Sequence, residues 1–142
     1  MRVKCTTNSK KDLADYEYSS LNKGKFGRFN ISNEGEYPVI IGNEYLVVGM
    51  IMFQNYLAYL IDESGLIFTA PCYLFVVTDP EINSRWYFRM TNKEENIYPF
   101  IQAIWGYKEL CSEKQSYEDL IVEMKDEAQG IYYRRKAELS DY

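Results

Sequence analysis

Short apolar runs bounded by turn residues recur between residues 37 and 90 and predict β-strands. Turn signals between them include the dipeptide Gly42-Asn43 and the Asp-Glu-Ser-Gly stretch at 62–65. A weaker alternation over residues 1–6 is compatible with a short first strand. The predicted strands cover residues 37–41, 44–53, 56–61, 66–70, 73–78 and 85–90. Strands this short and this closely spaced favour a strongly bent antiparallel sheet or a small barrel.

After residue 94 the spacing of the apolar residues changes to that of an amphipathic helix. The residues that follow this spacing are Ile97, Phe100, Ile101, Ile104, Trp105 and Leu110. A second helix is predicted from Ser116, a cap residue that precedes two acids, and its last turn is expected to hold the basic cluster at 134–136. Because both predicted helices follow all the strands, the pattern indicates the α+β class.

The length of 142 residues and the absence of a linker predict one domain. We expect a single domain over residues 1–142 that is β-rich over about 1–90 and helical over about 94–138. In strand length and spacing the first part resembles an SH3-like barrel. The predicted fold is therefore a bent antiparallel sheet, or a small SH3-like barrel of five to six short strands, followed by two C-terminal helices.

Charge is distributed unevenly along the chain, and this changes the expected partners. Residues 31–84 contain no Lys, Arg or His and carry a formal charge of −7, whereas the first thirty residues carry +4 and the last fifty-eight carry −2. A surface with this excess of carboxylates attracts cationic partners and repels polyanions, so nucleic acid is not expected to bind. The seven acids of the central segment are Glu34, Glu36, Glu44, Asp62, Glu63, Asp79 and Glu81.

The residue types that carry most catalytic chemistry are missing or poorly spaced. The chain has no His, which removes the commonest general base and metal ligand. Cys5, Cys72 and Cys111 have no short pair spacing, so we expect reduced thiols and no zinc site. We therefore expect no metal, no cofactor and no enzymatic activity. The absence of a secretory leader and of a long apolar run predicts a cytoplasmic protein that does not bind membranes.

Tyrosine is the other unusual feature, with fourteen residues in the chain. Tyr56 and Tyr59 precede the acidic turn at 62–63. Because side chains alternate along a strand, at most one of the two can line a given surface. Aromatic anchors beside carboxylates are typical of surfaces that bind basic proteins. The predicted partner-binding set is therefore the seven acids together with Tyr56 or Tyr59.

Two stretches also carry a resemblance to a known family. They are GNEYLVVGMIMFQNYLAYLIDESGLIFTAPCYLFVV at 42–77 and AIWGYKEL at 103–110. With the helical end, they resemble small bacterial immunity proteins of contact-dependent inhibition and other polymorphic toxin systems, over about residues 37–110. The resemblance implies a non-catalytic inhibitor that forms a one-to-one complex with a basic toxin domain, expected to be a nuclease, and occludes its active site.

A second interpretation is an SH3-like regulatory or adaptor module that binds a peptide or an assembly partner. Such a module would present an aromatic groove rather than a broad acidic face. A third is an enzyme that uses carboxylates or tyrosine, which would show a perturbed carboxyl titration inside a pocket.

Overall fold

The computed structural model describes residues 1–16 and 36–140, and within them the apolar runs form eight β-strands. The strands are β1 Arg2–Cys5, β2 Glu44–Leu46, β3 Gly49–Phe53, β4 Leu57–Glu63, β5 Leu66–Pro71, β6 Phe75–Asp79, β7 Tyr87–Met90 and β8 Ile101–Gly106. They form two antiparallel sheets, one with the order β2-β1-β6 and one with the order β5-β4-β3-β8-β7. The predicted α+β class is confirmed, and the sheets stay open rather than closing into a barrel.

The five-stranded sheet is covered on both faces. The core between the two sheets contains Val3, Tyr45, Met50, Tyr59, Ile61 and Phe75. The core between the five-stranded sheet and the C-terminal helices contains Ile51, Leu60, Ile104, Leu110, Leu120 and Tyr132. A strand that is buried on both faces needs apolar residues at successive positions, which explains why β3 and β4 are apolar almost throughout.

The helical part follows the last strand. It consists of α1 Lys108–Ser112, a π-helical turn at Glu118–Val122, and α2 Asp126–Ser140. Short 3-10 helices occur at Lys10–Tyr16 and Cys72–Leu74. None of the helices among the described residues is both long and apolar enough to cross a membrane.

The single helix predicted from Ile97 to Leu110 is wrong, because the middle of this segment, Ile101–Gly106, is strand β8, and only its end belongs to helix α1. β8 pairs with β3 on one side and with β7 on the other, with Ile104 opposite Ile51 and Arg89. Its burial on both faces places apolar residues at adjacent positions, and such a short run cannot be distinguished from a buried helix by spacing alone. The region predicted as helical over 94–138 therefore contains β8, an interior strand of the larger sheet.

The second predicted helix exists, but its limits differ from the expectation. Helical backbone begins at Ser116, as predicted, and continues through the π-helical turn to Val122, but it is interrupted where Met124 adopts a left-handed backbone conformation with φ of 50°. The long helix α2 then begins at Asp126. It continues to Ser140, so the basic cluster at 134–136 lies inside the helix and not in its last turn. These cations therefore act through side-chain partners, described below, rather than through the end of the helix dipole.

Two predicted strands also need correction. Residues 37–41 form no strand; they are held by single hydrogen bonds, such as that from the Tyr37 N–H to the Asn8 carbonyl at 2.7 Å. The predicted strand 44–53 is interrupted at 47–48, where the chain passes from the three-stranded to the five-stranded sheet. The first strand, β1, is confirmed and lies at the centre of the smaller sheet.

Candidate partner-binding surface

Two adjoining depressions flank Arg2 at one end of the three-stranded sheet. The first, of about 290 Å³, is lined by Glu44, Asp62 and Glu63, and the second, of about 300 Å³, by Asp79 and Glu81. Arg2 lines both, because it is paired with Leu46 of β2 and with Asp79 of β6. The fold thus brings five of the seven predicted acids together. We call Glu44, Asp62, Glu63, Asp79 and Glu81 the acidic rim.

Asp62 is engaged inside the protein rather than offered to solvent. Its Oδ1 accepts hydrogen bonds from the Tyr132 hydroxyl at 2.9 Å and from Lys136 Nζ at 2.6 Å. The Asp62 side chain is only 13% exposed. Burial and the neighbouring Asp62 carboxylate raise the pKa of Tyr132, so its phenol stays protonated and keeps donating. Asp62 therefore fastens α2 to the five-stranded sheet.

Glu63 is also engaged, on the opposite face of β4. The Tyr45 hydroxyl donates to Glu63 Oε2 at 2.5 Å and accepts the Ile40 N–H at 2.9 Å. The Ser64 hydroxyl donates to the other oxygen, Oε1, at 3.2 Å. Burial, followed by the hydrogen bond to Glu63, raises the pKa of Tyr45 to about 12. This pair links the two sheets at the edge of the first depression.

The remaining rim acids are the ones available to a partner. Glu44 has a side chain 48% exposed; Arg2 lies 3.9 Å from its carboxylate, and Lys4 of β1 is its cross-strand neighbour. Glu81 is exposed and forms no ion pair with a described residue; its backbone N–H donates to Asp79 Oδ1 at 3.1 Å. Ile82, which lines the same depression, is 53% exposed. Exposed carboxylates beside an exposed apolar side chain can bind a cationic side chain and its aliphatic stem.

The other predicted site residues do not join the rim. Tyr59 is 6% exposed and packs edge-on against Phe75 in the core between the sheets, so it cannot anchor a partner. Tyr56 is half-buried and stacked on Phe53, with ring centroids 5.0 Å apart. Glu36 is exposed, but it lies opposite Ser9. Glu34 lies outside the described residues.

The sequence did not reveal the cations Arg2 and Lys136, or the apolar Ile82, which line the depressions beside the acidic rim. Arg2 and Lys136 come from the two ends of the chain and meet the central acids only in the folded protein. The basic cluster at 134–136 was interpreted as the end of a helix, and that interpretation concealed Lys136 as a partner of Asp62. The dipeptide Glu81-Ile82 is a local signal for this surface, because it places an isoleucine beside an acid directly after Asp79-Pro80.

The hydrogen bond between Tyr45 and Glu63 predicts a loss of stability in alkali. Because folding raises the pKa of Tyr45 from 10.0 to about 12, its stabilising contribution is complete below pH 10 and is lost as the pH rises through 12. We expect the advantage of the wild type over Tyr45→Phe in urea unfolding to shrink across this interval. Tyr87→Phe, which removes an exposed hydroxyl, is the control. A constant advantage would contradict this assignment.

Two further properties of the described residues concern metal binding and thiol chemistry. Within the described part of the chain, no three His, Cys, Asp or Glu side chains are grouped to hold a metal ion. The buried thiol of Cys111 has its pKa raised to about 11 by burial, so it is protonated near neutral pH. Comparison with protein families, characterised proteins and solved structures gives no significant match.

Proposed function

We propose that the protein is a non-catalytic, cytoplasmic immunity protein that binds a cationic toxin domain through the acidic rim. The observation that carries the proposal is the convergence of five carboxylates from β2, β4, β6 and the residues after β6 on two adjoining depressions. Two of them, Asp62 and Glu63, maintain the fold, while Glu44 and Glu81 face solvent.

The charge of the rim favours a basic protein over other partners. Arg2 and Lys136 are the cationic side chains that line the two depressions, and they offset only part of five carboxylates. A negative potential of this kind accelerates the encounter with a basic surface and disfavours polyanions. The exposed Ile82 adds an apolar contact beside Glu81.

A nuclease is the toxin class that such a surface would fit best. Nucleases bind a polyanion, so their active clefts concentrate Lys and Arg. A rim of carboxylates would occupy those cations in a one-to-one complex and thereby exclude the substrate. This mode of inhibition needs shape and charge from the immunity protein and no catalytic group.

The test is an untagged purification from the native organism at low salt, followed by elution with rising salt. We expect a single basic protein to co-purify and to leave as the salt concentration rises. Glu44→Lys/Glu81→Lys should abolish its recovery, and Glu113→Lys/Glu123→Lys, an equal charge change on exposed acids outside the rim, should not. Recovery of a partner that salt does not release, or no basic partner at all, would contradict the proposal and favour an adaptor module.

A further inference from the structure

Strand β7, Tyr87–Met90, is the last strand of the five-stranded sheet, and among the described residues no strand pairs with its outer edge. Its apolar side chains are unusually exposed to solvent. Phe88 is 53% exposed and Met90 is 70% exposed, on the face that carries Trp105, whose ring centroid lies 4.9 Å from that of Phe88. An exposed apolar edge strand is a template for pairing with another strand.

The hydrogen-bond phase of β7 shows which backbone groups point outward. The Thr91 N–H donates to the Gln102 carbonyl at 3.1 Å, which makes Thr91 and Gln102 a hydrogen-bonded pair in register with β7 and β8. Bonded and non-bonded pairs alternate along an antiparallel ladder, so Tyr87 and Arg89 also bond to β8. The N–H and C=O groups of Phe88 and Met90 therefore face away from the sheet.

The usual protection of an edge is missing from β7. Edge strands are commonly shielded by exposed charges, especially Lys. The only charged residue of β7 is Arg89, and its side chain is 14% exposed and bound to Glu95 at 2.5 Å. The strand consequently presents Tyr87, Phe88 and Met90 to solvent without an accessible charge.

We propose that β7 is the interface between two copies of this chain, joined edge to edge about a two-fold axis at Arg89. This arrangement places Phe88 opposite Met90 of the other copy, and each such pair exchanges both of its outward hydrogen bonds. It also stacks Phe88 and Met90 across the interface on one face. Both of its outward-facing residues are apolar and exposed, and each of the two Arg89 side chains that meet at the axis is paired with Glu95 of its own chain.

Charge distinguishes β7 from the other apolar edge, β6. Val76 and Val77 of β6 are also about half exposed, but this strand ends at Asp79 and is followed by Glu81, so two copies joined there would bring the acids of the rim together. Around β7, Arg85, Arg89 and Lys93 stand against Glu94 and Glu95, which leaves a net charge of only +1. Since a contact of one short strand is smaller than a standard interface, the dimer is expected to be reversible and concentration-dependent.

The test is sedimentation equilibrium of the whole chain over a wide concentration range. We expect the mass to rise from 16.8 kDa toward twice that value as the concentration increases. Met90→Pro should abolish the rise, because the N–H that it removes is not bonded to β8 and proline is tolerated on an edge strand. Met90→Lys should also abolish it, through charge repulsion across the two-fold axis.

Val76→Lys provides the matched control, since it adds the same charge to a half-exposed apolar residue on the β6 edge. We expect it to leave the dimer intact. A mass that stays at 16.8 kDa at every concentration would overturn the proposal. So would a dimer that persists in folded Met90→Lys, or one that Val76→Lys disrupts equally; circular dichroism of each variant reports whether it is folded.

Discussion

Replacing Gly49 by alanine is expected to lower the free energy of unfolding by about 2–3 kcal/mol. A Cβ at this position would lie 2.9 Å from the Trp105 carbonyl oxygen and 3.0 Å from Leu110 Cδ2. The carbonyl belongs to β8, and it cannot withdraw without disturbing the ladder between β3 and β8. Gly49 faces Gly106 across this ladder, and the two glycines leave the space that Leu110 of α1 fills.

The measurement is the free energy of unfolding in urea, compared between Gly49→Ala, Gly130→Ala and the wild type. Gly130 lies within α2, and a Cβ there would meet no atom within 4 Å. Gly130→Ala is therefore expected to raise stability by about 0.5–1 kcal/mol, because alanine loses less backbone entropy in a helix. If Gly49→Ala were as stable as the wild type, the close approach of β3, β8 and α1 would be wrong.

Replacing Asp62 by alanine is expected to cost about 2–3 kcal/mol and to loosen α2. The Tyr132 side chain is fully buried, and without Asp62 its hydroxyl loses its acceptor. Lys136, which is one third exposed, can turn toward water, so the orphaned phenol dominates the cost. The measurement is urea unfolding together with amide hydrogen exchange over α2, where protection should fall most.

Two variants separate the loss of the hydrogen bond to Tyr132 from a simple loss of negative charge. Glu44→Ala removes an exposed rim acid whose ion pair with Arg2 is long, so its effect should stay within about 0.5 kcal/mol. Asp62→Ala/Tyr132→Phe removes the orphaned hydroxyl and should recover part of the loss. Equal stability of Asp62→Ala and Glu44→Ala would show that Asp62 does not fasten α2.

These roles change how charge reversal in the acidic turn at 62–63 should be interpreted. Before the fold is known, Asp62 and Glu63 are the obvious pair to reverse in a binding experiment, since they are adjacent and lie beside a glycine turn. In the folded protein both carboxylates accept hydrogen bonds from buried tyrosines. Replacing them by Lys would reduce stability and binding together, whereas Glu44 and Glu81 report on binding alone.

The strands that could be predicted from the sequence are those whose signals are local. β4 and β5 are apolar runs that meet at the Asp-Glu-Ser-Gly stretch; its two acids end β4, and Ser64 and Gly65 form the two-residue turn with the positive φ values that it requires. β8 could not be predicted, because its partner β3 is distant along the chain and its other partner, β7, has only a weak strand pattern. Both faces of β8 are also covered, so its residues show no polar–apolar alternation. Its apolar residues fit a helix equally well until the pairing is known.

The acidic rim was predictable in composition but not in arrangement. All five acids of the rim lie in residues 31–84, the segment without cations. Which acids share a surface depends on two long-range relations: Arg2 of β1 lies between β2 and β6, and α2 packs against β4. No local sequence pattern indicates either of them. The same limit applies to tyrosine, since alternation alone could not decide that Tyr59 lies in the core and Tyr56 at its margin.

The rate of association with the purified cationic partner, measured by stopped flow at increasing salt, tests the central claim most directly. We expect the wild-type rate constant to fall steeply with salt, and Glu44→Lys/Glu81→Lys to associate at least about tenfold more slowly at low salt, with a much flatter dependence. Glu113→Lys/Glu123→Lys should retain most of the wild-type rate. A wild-type rate that does not respond to salt, or equal rates for the two double variants, would contradict binding through the acidic rim.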